Sequence, residues 1–151
     1  MEIYENAIKL MNERFTQDSL IAIATIEDGK PYNRMVDAYF HEGALYVVTY
    51  TLSNKMKQIA KNPNVALAAV DDFTGHGVGE NLGHVLKEEN AVIMDMLRKA
   101  FATWYTGGHV NEADENTCLL KITLTKGIIT DHQLKYGERY YAVDFTNKSA
   151  E

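Results

Sequence analysis

Two turn signals divide the first third of the chain into three short β-prone segments. Asp28-Gly29 and Glu42-Gly43 separate residues 20–26, 32–40 and 45–50, which are rich in apolar and aromatic side chains. An Asp-Gly pair supplies the positive φ angles that a tight hairpin needs. Strands joined by such hairpins run antiparallel, so the sequence predicts a three-stranded meander and not a crossover-linked parallel sheet.

Helical periodicity and helix-capping residues predict two or three helices. Apolar residues recur at helical spacing over residues 2–15 and again from Val92 to Trp104, where Gly107-Gly108 is expected to close the second helix. Between these two, Ser53-Asn54 is a capping pair. Asn62-Pro63 is a terminator, because proline cannot continue the hydrogen-bond ladder. A short helix is therefore expected from one pair to the other.

The remaining β-prone segments are residues 65–70, 118–125, 128–130 and 140–145. We expect Lys126-Gly127 to turn the chain, the glycine-rich segment 75–83 to run as a loop into an irregular strand, and residues 147–151 to fray. The count gives six or seven strands with two or three flanking helices. This pattern predicts an α+β, mainly β chain that forms a small antiparallel barrel, as one domain over residues 1–151.

Composition narrows the class of protein. The chain has 151 residues, of which 46% are hydrophobic, and 15 Lys and Arg against 21 Asp and Glu give a net charge of −6. An acidic domain gains little from a polyanion, so nucleic acid is a poor partner. No apolar run approaches the ~20 residues that span a bilayer, and the acidic start lacks the pattern of a secretory signal. One cysteine excludes an internal disulfide and favours the cytoplasm.

Three residues form a candidate anion site. Arg34 lies on the second predicted strand, and Ser53 and Lys55 lie where the third strand meets a helix, so hairpin pairing brings the two regions together. The start of a helix presents unpaired N–H groups and a positive partial charge. A hydroxyl, an ammonium and a planar guanidinium complete the donor set that a phosphate monoester needs. Taken singly, each of these residues also fits an ordinary solvated or capping role.

The order and spacing of several motifs over about residues 19–70 resemble the pyridoxamine-5′-phosphate-oxidase-like FMN-binding split barrels. They are Pro31-x-x-Arg34-Met35-Val36, Leu45-Tyr46-Val47-Val48-Thr49, Ser53-Asn54-Lys55 and Asn62-Pro63-x-Val65-x-Leu67. The chain contains no proline after Pro63, where the authentic oxidase ends with a proline-containing substrate segment. The sequence is more similar to the short general-stress and nitroimidazole-resistance branch.

The resemblance implies a homodimer with FMN at the subunit interface. It places the FMN phosphate on Arg34, Ser53 and Lys55, and the flavin ring along Arg34, Met35, Val36 and Asp37 and beside Val48 and Thr49. Many relatives carry a second basic residue where this chain has Asn54, which implies one charge-assisted contact fewer. A flavin-dependent oxidoreductase acting on a small acceptor, with NAD(P)H as a possible donor, is the leading expectation. The alternatives are a non-catalytic flavin-binding stress or sensor protein, or a barrel that holds deazaflavin or haem.

Other signals carry less information. His84 and His109 lie beside glycines in segments expected to reach the dimer interface, and they are the candidates for a catalytic acid or a substrate donor. Trp104 is a candidate for stacking on the ring. No histidine pair has the i, i+4 spacing of a zinc site, so we expect no metal. Gly75, Gly77 and Gly79 do not make a complete dinucleotide fingerprint, because Glu80 stands where that motif needs glycine. We expect these glycines to permit close backbone approach, to the ring or to the partner subunit.

Overall fold

The computed structural model describes residues 2–151, which form three α-helices, a short 3-10 turn and eight strands. The elements are α1 (Glu2–Phe15), β1 (Ser19–Glu27), β2 (Lys30–His41), β3 (Ala44–Tyr50), α2 (Asn54–Lys61), β4 (Asn64–Ala69), β5 (Phe73–His84), the 3-10 turn (Glu88–Asn90), α3 (Ala91–Ala100), β6 (Thr117–Thr130), β7 (Tyr140–Asp144) and β8 (Ser149–Ala150). None of the helices in this described part is long and apolar enough to cross a membrane.

Six strands close into an antiparallel barrel. The order is β3-β2-β1-β4-β5-β6, and β6 pairs with β3 to complete the ring, while β7 and β8 continue the sheet outside it. Every strand pair is antiparallel. The predicted α+β, mainly β split barrel is confirmed.

Both predicted hairpin turns are present. Asp28 and Gly29 have φ angles of 52° and 75°, and Glu42 and Gly43 have φ angles of 47° and 81°. Two successive positive φ angles match the right-handed twist of the strands on either side. The first turn sets the β1–β2 register, in which Ile23 lies opposite Arg34.

The glycine-rich segment lies within β5, so the predicted loop is wrong, but the strand is irregular as predicted, since its pairing with β6 shifts between His76 and Gly77 and between Asn81 and His84. A Cβ atom on Gly75 would lie 2.9 Å from the Phe73 ring, and one on Gly127 of the neighbouring strand 2.7 Å from it. Phe73 is 1% exposed, so these glycines make room for a core aromatic ring. Glycine is normally unfavourable in a strand, and here the packing of Phe73 explains its presence.

Two further expectations about the chain after Gly108 are corrected. Strand β6 continues through Lys126-Gly127, so the predicted turn is wrong, and only its pairing with β5 shifts by one residue next to them. The predicted fraying of residues 147–151 is also wrong, since β8 pairs with β7 and Glu151 exchanges two backbone hydrogen bonds with Ala142.

The buried side chains form two clusters. The larger fills the barrel and includes residues from α1, such as Leu10 and Met11, and from α2, Met56 and Ile59. The smaller lies on the outer side of β3 and β6 under α3. Helix α3 ends at Ala100, so Trp104 lies in the turns that follow and not within the predicted longer helix. Helix α2 covers the barrel near the far end of β1, and this is where the candidate site lies.

Candidate functional site

Arg34 points into the barrel. It lies opposite Ile23, and residues directly opposite on paired antiparallel strands share a face. Its guanidinium donates from Nη1 to the Thr25 hydroxyl at 2.8 Å and to the Ile23 carbonyl at 3.3 Å. From Nη2 it donates to Gln58 Oε1 at 3.1 Å. Burial lowers the pKa of Arg34, since no neighbouring negative charge compensates for lost solvation.

Thr25 and Gln58 complete this group, and no motif in the sequence indicated either. Thr25 is fully buried and donates its hydroxyl proton to Gln58 Oε1. Gln58, on α2, is 4% exposed. The one sequence signal for Gln58 is a polar residue at a helical position next to the apolar face of α2. The apolar periodicity itself predicts Met56 and Ile59, not Gln58, as buried.

Lys55 supplies the second cation of the site. Its Nζ donates to the Thr49 hydroxyl at 2.7 Å, which links the start of α2 to the end of β3. Burial is the largest cause of the lowered pKa of Lys55, and the positive charge of Arg34 is the next. The two cations therefore lie close enough to repel each other. Repulsion between like charges in a partly buried place is unfavourable until an anion joins them.

The site holds positive charge without a negative counterpart. Over residues 2–151, neither Arg34 nor Lys55 lies within ion-pair distance of a carboxylate. Ser53 caps α2, with its hydroxyl 3.5 Å from the Met56 backbone nitrogen. The first N–H groups of that helix add donors at the same end. Asn54 is exposed beside them and brings no charge.

Strand alternation divides the residues expected along the flavin ring. Arg34 and Val36 face the barrel interior, whereas Met35 and Asp37 lie on the outer face. Thr49 is joined to Lys55, but Val48 packs against the cluster under α3. One protomer therefore does not bring the whole predicted set together.

Asp37 belongs to a separate acidic group. Burial, followed by a hydrogen bond and repulsion from Asp18, raises the pKa of Asp37 to about 6. Trp104 donates its indole N–H to Asp18 Oδ2 at 2.8 Å, and its ring stacks on Phe101 with centroids 5.0 Å apart. Trp104 thus holds the turns after α3 against the start of β1, away from Arg34 and Lys55.

The candidate histidines do not join the cationic group. His84 Nε2 lies 2.7 Å from the Glu112 carbonyl oxygen and ties β5 to the loop before β6. His109 is exposed in the turns after α3. No cluster of three or more His, Cys, Asp or Glu suited to a metal ion occurs among the residues that the structure describes.

These features define a class of protein: a small split barrel with two partly buried cations, Arg34 and Lys55, at the end where β2, β3 and α2 meet. The sequence profile of the pyridoxamine 5′-phosphate oxidase family matches residues 8–131. The chain belongs to this family, as its motifs predicted.

Relatives and solved structures agree with this assignment. General stress protein 26 of Bacillus subtilis (strain 168) is 29% identical over 105 residues, which cover 67% of this chain and 71% of that protein. A nimC/nimA family protein from Clostridium acetobutylicum has the same fold, with a TM-score of 0.61 and 18% identity over 99% of this chain and 94% of the other. A FAD-binding protein from Mesorhizobium loti has a TM-score of 0.65 and 13% identity over 79% and 90%.

The same fold occurs in proteins described with other cofactors. A heme binding protein from Mycobacterium smegmatis matches with a TM-score of 0.62 and 15% identity, over 97% of this chain and 58% of that one. An F420 reductase matches with a TM-score of 0.59 and 17% identity, over 77% and 94%. At these identities the likeness establishes the fold alone, so the choice of cofactor depends on the residues of this chain.

Proposed function

We propose that this protein binds FMN through its phosphate and serves as a flavin-dependent oxidoreductase for a small acceptor. One observation carries the proposal. Arg34 and Lys55, both partly buried, lie near one another at the start of α2 with only neutral hydrogen-bond partners. A buried charge without a partner is costly, so this arrangement suits a ligand that brings two negative charges.

The donor set fits a phosphate monoester. The guanidinium offers parallel N–H groups and the ammonium a compact point charge, and both form stronger hydrogen bonds to a charged oxygen than to a neutral one. Ser53 and the first N–H groups of α2 supply donors of the kind found around phosphate at helix starts. Thr49 and Thr25 would then keep the two cations in place beside the ligand.

The bound flavin would supply the hydride and electron chemistry, and the protein would bind and orient it. No side chain of this chain need act as a nucleophile. Arg34, Ser53 and Lys55 would hold the phosphate, and Met35 and Asp37 would lie on the outer face, where the resemblance places the ring. The electron acceptor would be small, and we do not propose the authentic pyridoxamine phosphate reaction.

We also propose that two copies of the chain form the complete site. The outer face of β1, β2 and β4 is apolar and open, with Leu20 58% exposed and Met35 53% exposed. Ala22 lies between Met35 and Ala68 in the register of these strands. A second copy covering this surface would bury it and would come next to Met35 and Asp37. Closed two-fold pairing is the commonest way to cover such a face.

The surroundings of the site favour FMN over haem. Haem iron needs an axial ligand, most often histidine. In the described structure none of the five histidines forms a hydrogen bond to Thr25, Arg34, Lys55 or Gln58. His132 pairs with Asp72 at 3.0 Å and His41 lies 3.7 Å from Glu42, both outside the barrel end.

Titration of the protein with FMN and with riboflavin tests the proposal. Because only FMN carries the phosphate, two charge-assisted contacts should make it bind about 100-fold or more tightly than riboflavin. Flavin fluorescence quenching measures both affinities. Equal affinities would contradict the phosphate site, and tighter binding of a deazaflavin or haem would replace FMN as the cofactor.

Anaerobic reduction separates an oxidoreductase from a flavin-binding stress or sensor protein. Bleaching of the bound flavin by NAD(P)H, followed by reoxidation with a quinone or a nitro compound, supports turnover. A flavin that binds tightly but is not reduced would favour the non-catalytic alternative. Sedimentation at micromolar concentration tests the dimer, and a monomer would contradict the interfacial site.

A further inference from the structure

We propose that Gln58 is a positioning residue, which holds the Arg34 guanidinium in place without pairing its charge and so sets the preference of this site for a phosphorylated ligand. The inference rests on the proposed FMN phosphate site. It concerns a residue that touches no ligand and acts only through Arg34.

Gln58 is placed to control Arg34. Its Oε1 accepts from Arg34 Nη2 at 3.1 Å and also from the Thr25 hydroxyl, whose oxygen in turn accepts from Arg34 Nη1 at 2.8 Å. Gln58 and Thr25 are 4% and 0% exposed. Because the two buried acceptors also bond to each other, the three hydrogen bonds restrain the orientation of the partly buried guanidinium.

The acceptors that hold Arg34 are all neutral. They are an amide oxygen, a hydroxyl oxygen and the Ile23 carbonyl. A neutral acceptor orients a guanidinium without cancelling its charge, whereas a carboxylate in the same place would pair with it. Glutamine and glutamate have nearly the same shape, so the choice of an amide at position 58 decides how much of the Arg34 charge remains for a ligand.

Two substitutions separate the electrostatic role from a structural one. Gln58→Glu keeps an acceptor for Arg34 and Thr25 but adds a negative charge. Gln58→Met keeps the volume and removes the acceptor. If Gln58 serves only as a structural hydrogen-bond acceptor, the methionine variant should be the more damaging, because it leaves the Thr25 and Arg34 donors without that partner. If Gln58 preserves the charge of Arg34, the glutamate variant should be the more damaging to FMN binding.

The experiment measures FMN and riboflavin affinity by fluorescence quenching for the full-length protein and its variants. We expect Gln58→Glu to lower the ratio of FMN to riboflavin affinity about tenfold or more, and Gln58→Met to lower it less. Gln133→Glu makes the same charge change at an exposed position outside the site and should leave the ratio within about threefold. Circular dichroism establishes that each variant is folded.

Different results would refute the phosphate site and the role of Gln58. A wild-type protein without preference for FMN would refute the phosphate site itself, and this inference with it. A wild-type preference that survives Gln58→Glu, or falls further in Gln58→Met, would refute the role of Gln58 alone. If Gln58→Glu does not fold, Thr25→Val decides, since it removes the second neutral partner of Arg34. We then expect a fall of about fivefold in the ratio, and an unchanged ratio overturns the inference.

Discussion

Arg34 and Arg98 are both partly buried arginines held by several hydrogen bonds, yet their surroundings are opposite. Arg98 donates to Glu112 from two nitrogens, at 2.9 and 3.3 Å, and to Asp95 at 3.0 Å. Arg34 donates only to uncharged oxygens. The hydrogen bond to Glu112 raises the pKa of Arg98, whereas burial lowers that of Arg34.

The comparison distinguishes an arginine whose charge is paired with carboxylates from one that has only neutral acceptors. Around Arg98, the carboxylates satisfy the charge, and Glu112 also accepts from Tyr105, so the group fastens the loop before β6 to α3. Around Arg34 the charge remains available and a second cation lies nearby. Substitutions that remove Arg34, unpair Arg98 or change the charge near Arg34 should therefore have different effects.

The largest effect should come from removing the binding arginine. Arg34→Met should weaken FMN binding about 100-fold, because it deletes a charge-assisted, two-point contact. Riboflavin affinity should change little. Quenching titrations measure both, and Arg98→Met is the matched control, which should lower thermal stability but preserve the preference for FMN. An equal loss for both flavins in Arg34→Met would make Arg34 a structural residue too.

A smaller effect is expected from removing the carboxylate that pairs with Arg98. Glu112→Gln removes the charge that pairs with Arg98 and should lower the free energy of unfolding by about 1–2 kcal/mol, since the pair is only partly buried. Urea unfolding measures the change. Glu115→Gln, at an exposed neighbouring position, is the control. Glu112→Gln as stable as the wild type would show that the ion pair contributes nothing.

Adding charge to the binding end should strengthen it. Asn54 is exposed one residue before Lys55, and Asn54→Arg should tighten FMN binding about tenfold through one more charge-assisted contact. The gain should shrink at high salt, because an exposed charge is screened. Lys61→Arg is the control, because it introduces an arginine at the other end of α2, away from the site. A gain for riboflavin of the same size would exclude the phosphate as the cause.

The smallest effect concerns Asp37, whose pKa is raised to about 6 chiefly by burial and then by Asp18. A carboxyl group that holds its proton more tightly in the folded state stabilises most at low pH, and that contribution is lost as pH rises through about 6. Asp37→Asn should therefore be about 1 kcal/mol more stable than the wild type at pH 8, after allowance for solvent screening, and the two should converge near pH 4.

Urea unfolding at the two pH values measures this difference. Asp71→Asn is the control, because the Asp71 carboxylate is exposed and makes no hydrogen bond to the described residues. A pH-independent difference between Asp37→Asn and the wild type would show that burial and Asp18 do not raise the pKa of Asp37.

The sequence predicted the fold where local chemistry determines it. Asp28-Gly29 fixes a hairpin whatever surrounds it, and Ser53 and Pro63 delimit α2 by their own backbone preferences. The wrong expectations depended on partners distant in the chain. Gly75 and Gly127 indicated a loop and a turn, because their reason for being in strands is the Phe73 ring between them.

In the candidate site, too, the residues of local motifs were predictable and those that depend on distant partners were not. Arg34, Ser53 and Lys55 are visible as a motif, and the structure brings Arg34 to α2, where it donates to Gln58, three residues after Lys55. Thr25 and Gln58 carry no motif of their own, since their role arises only when α2 folds over the end of β1. Met35 and Asp37 lie on the opposite face of β2 from Arg34, because successive side chains of a strand alternate between its two faces. A single strand therefore cannot place all of these residues along one ring.

The pairing of β3 with β6 has a kinetic consequence. It joins Ala44 to Thr123 and Tyr50 to Thr117, positions separated by about half the length of the chain. The entropy of closing so long a loop must be lost before these contacts can form, and such non-local pairing slows folding. The β1–β2 hairpin needs no such closure. Thr49, which accepts a hydrogen bond from Lys55, lies opposite Cys118 in this pairing, so its place in the sheet is completed only when β6 closes the barrel.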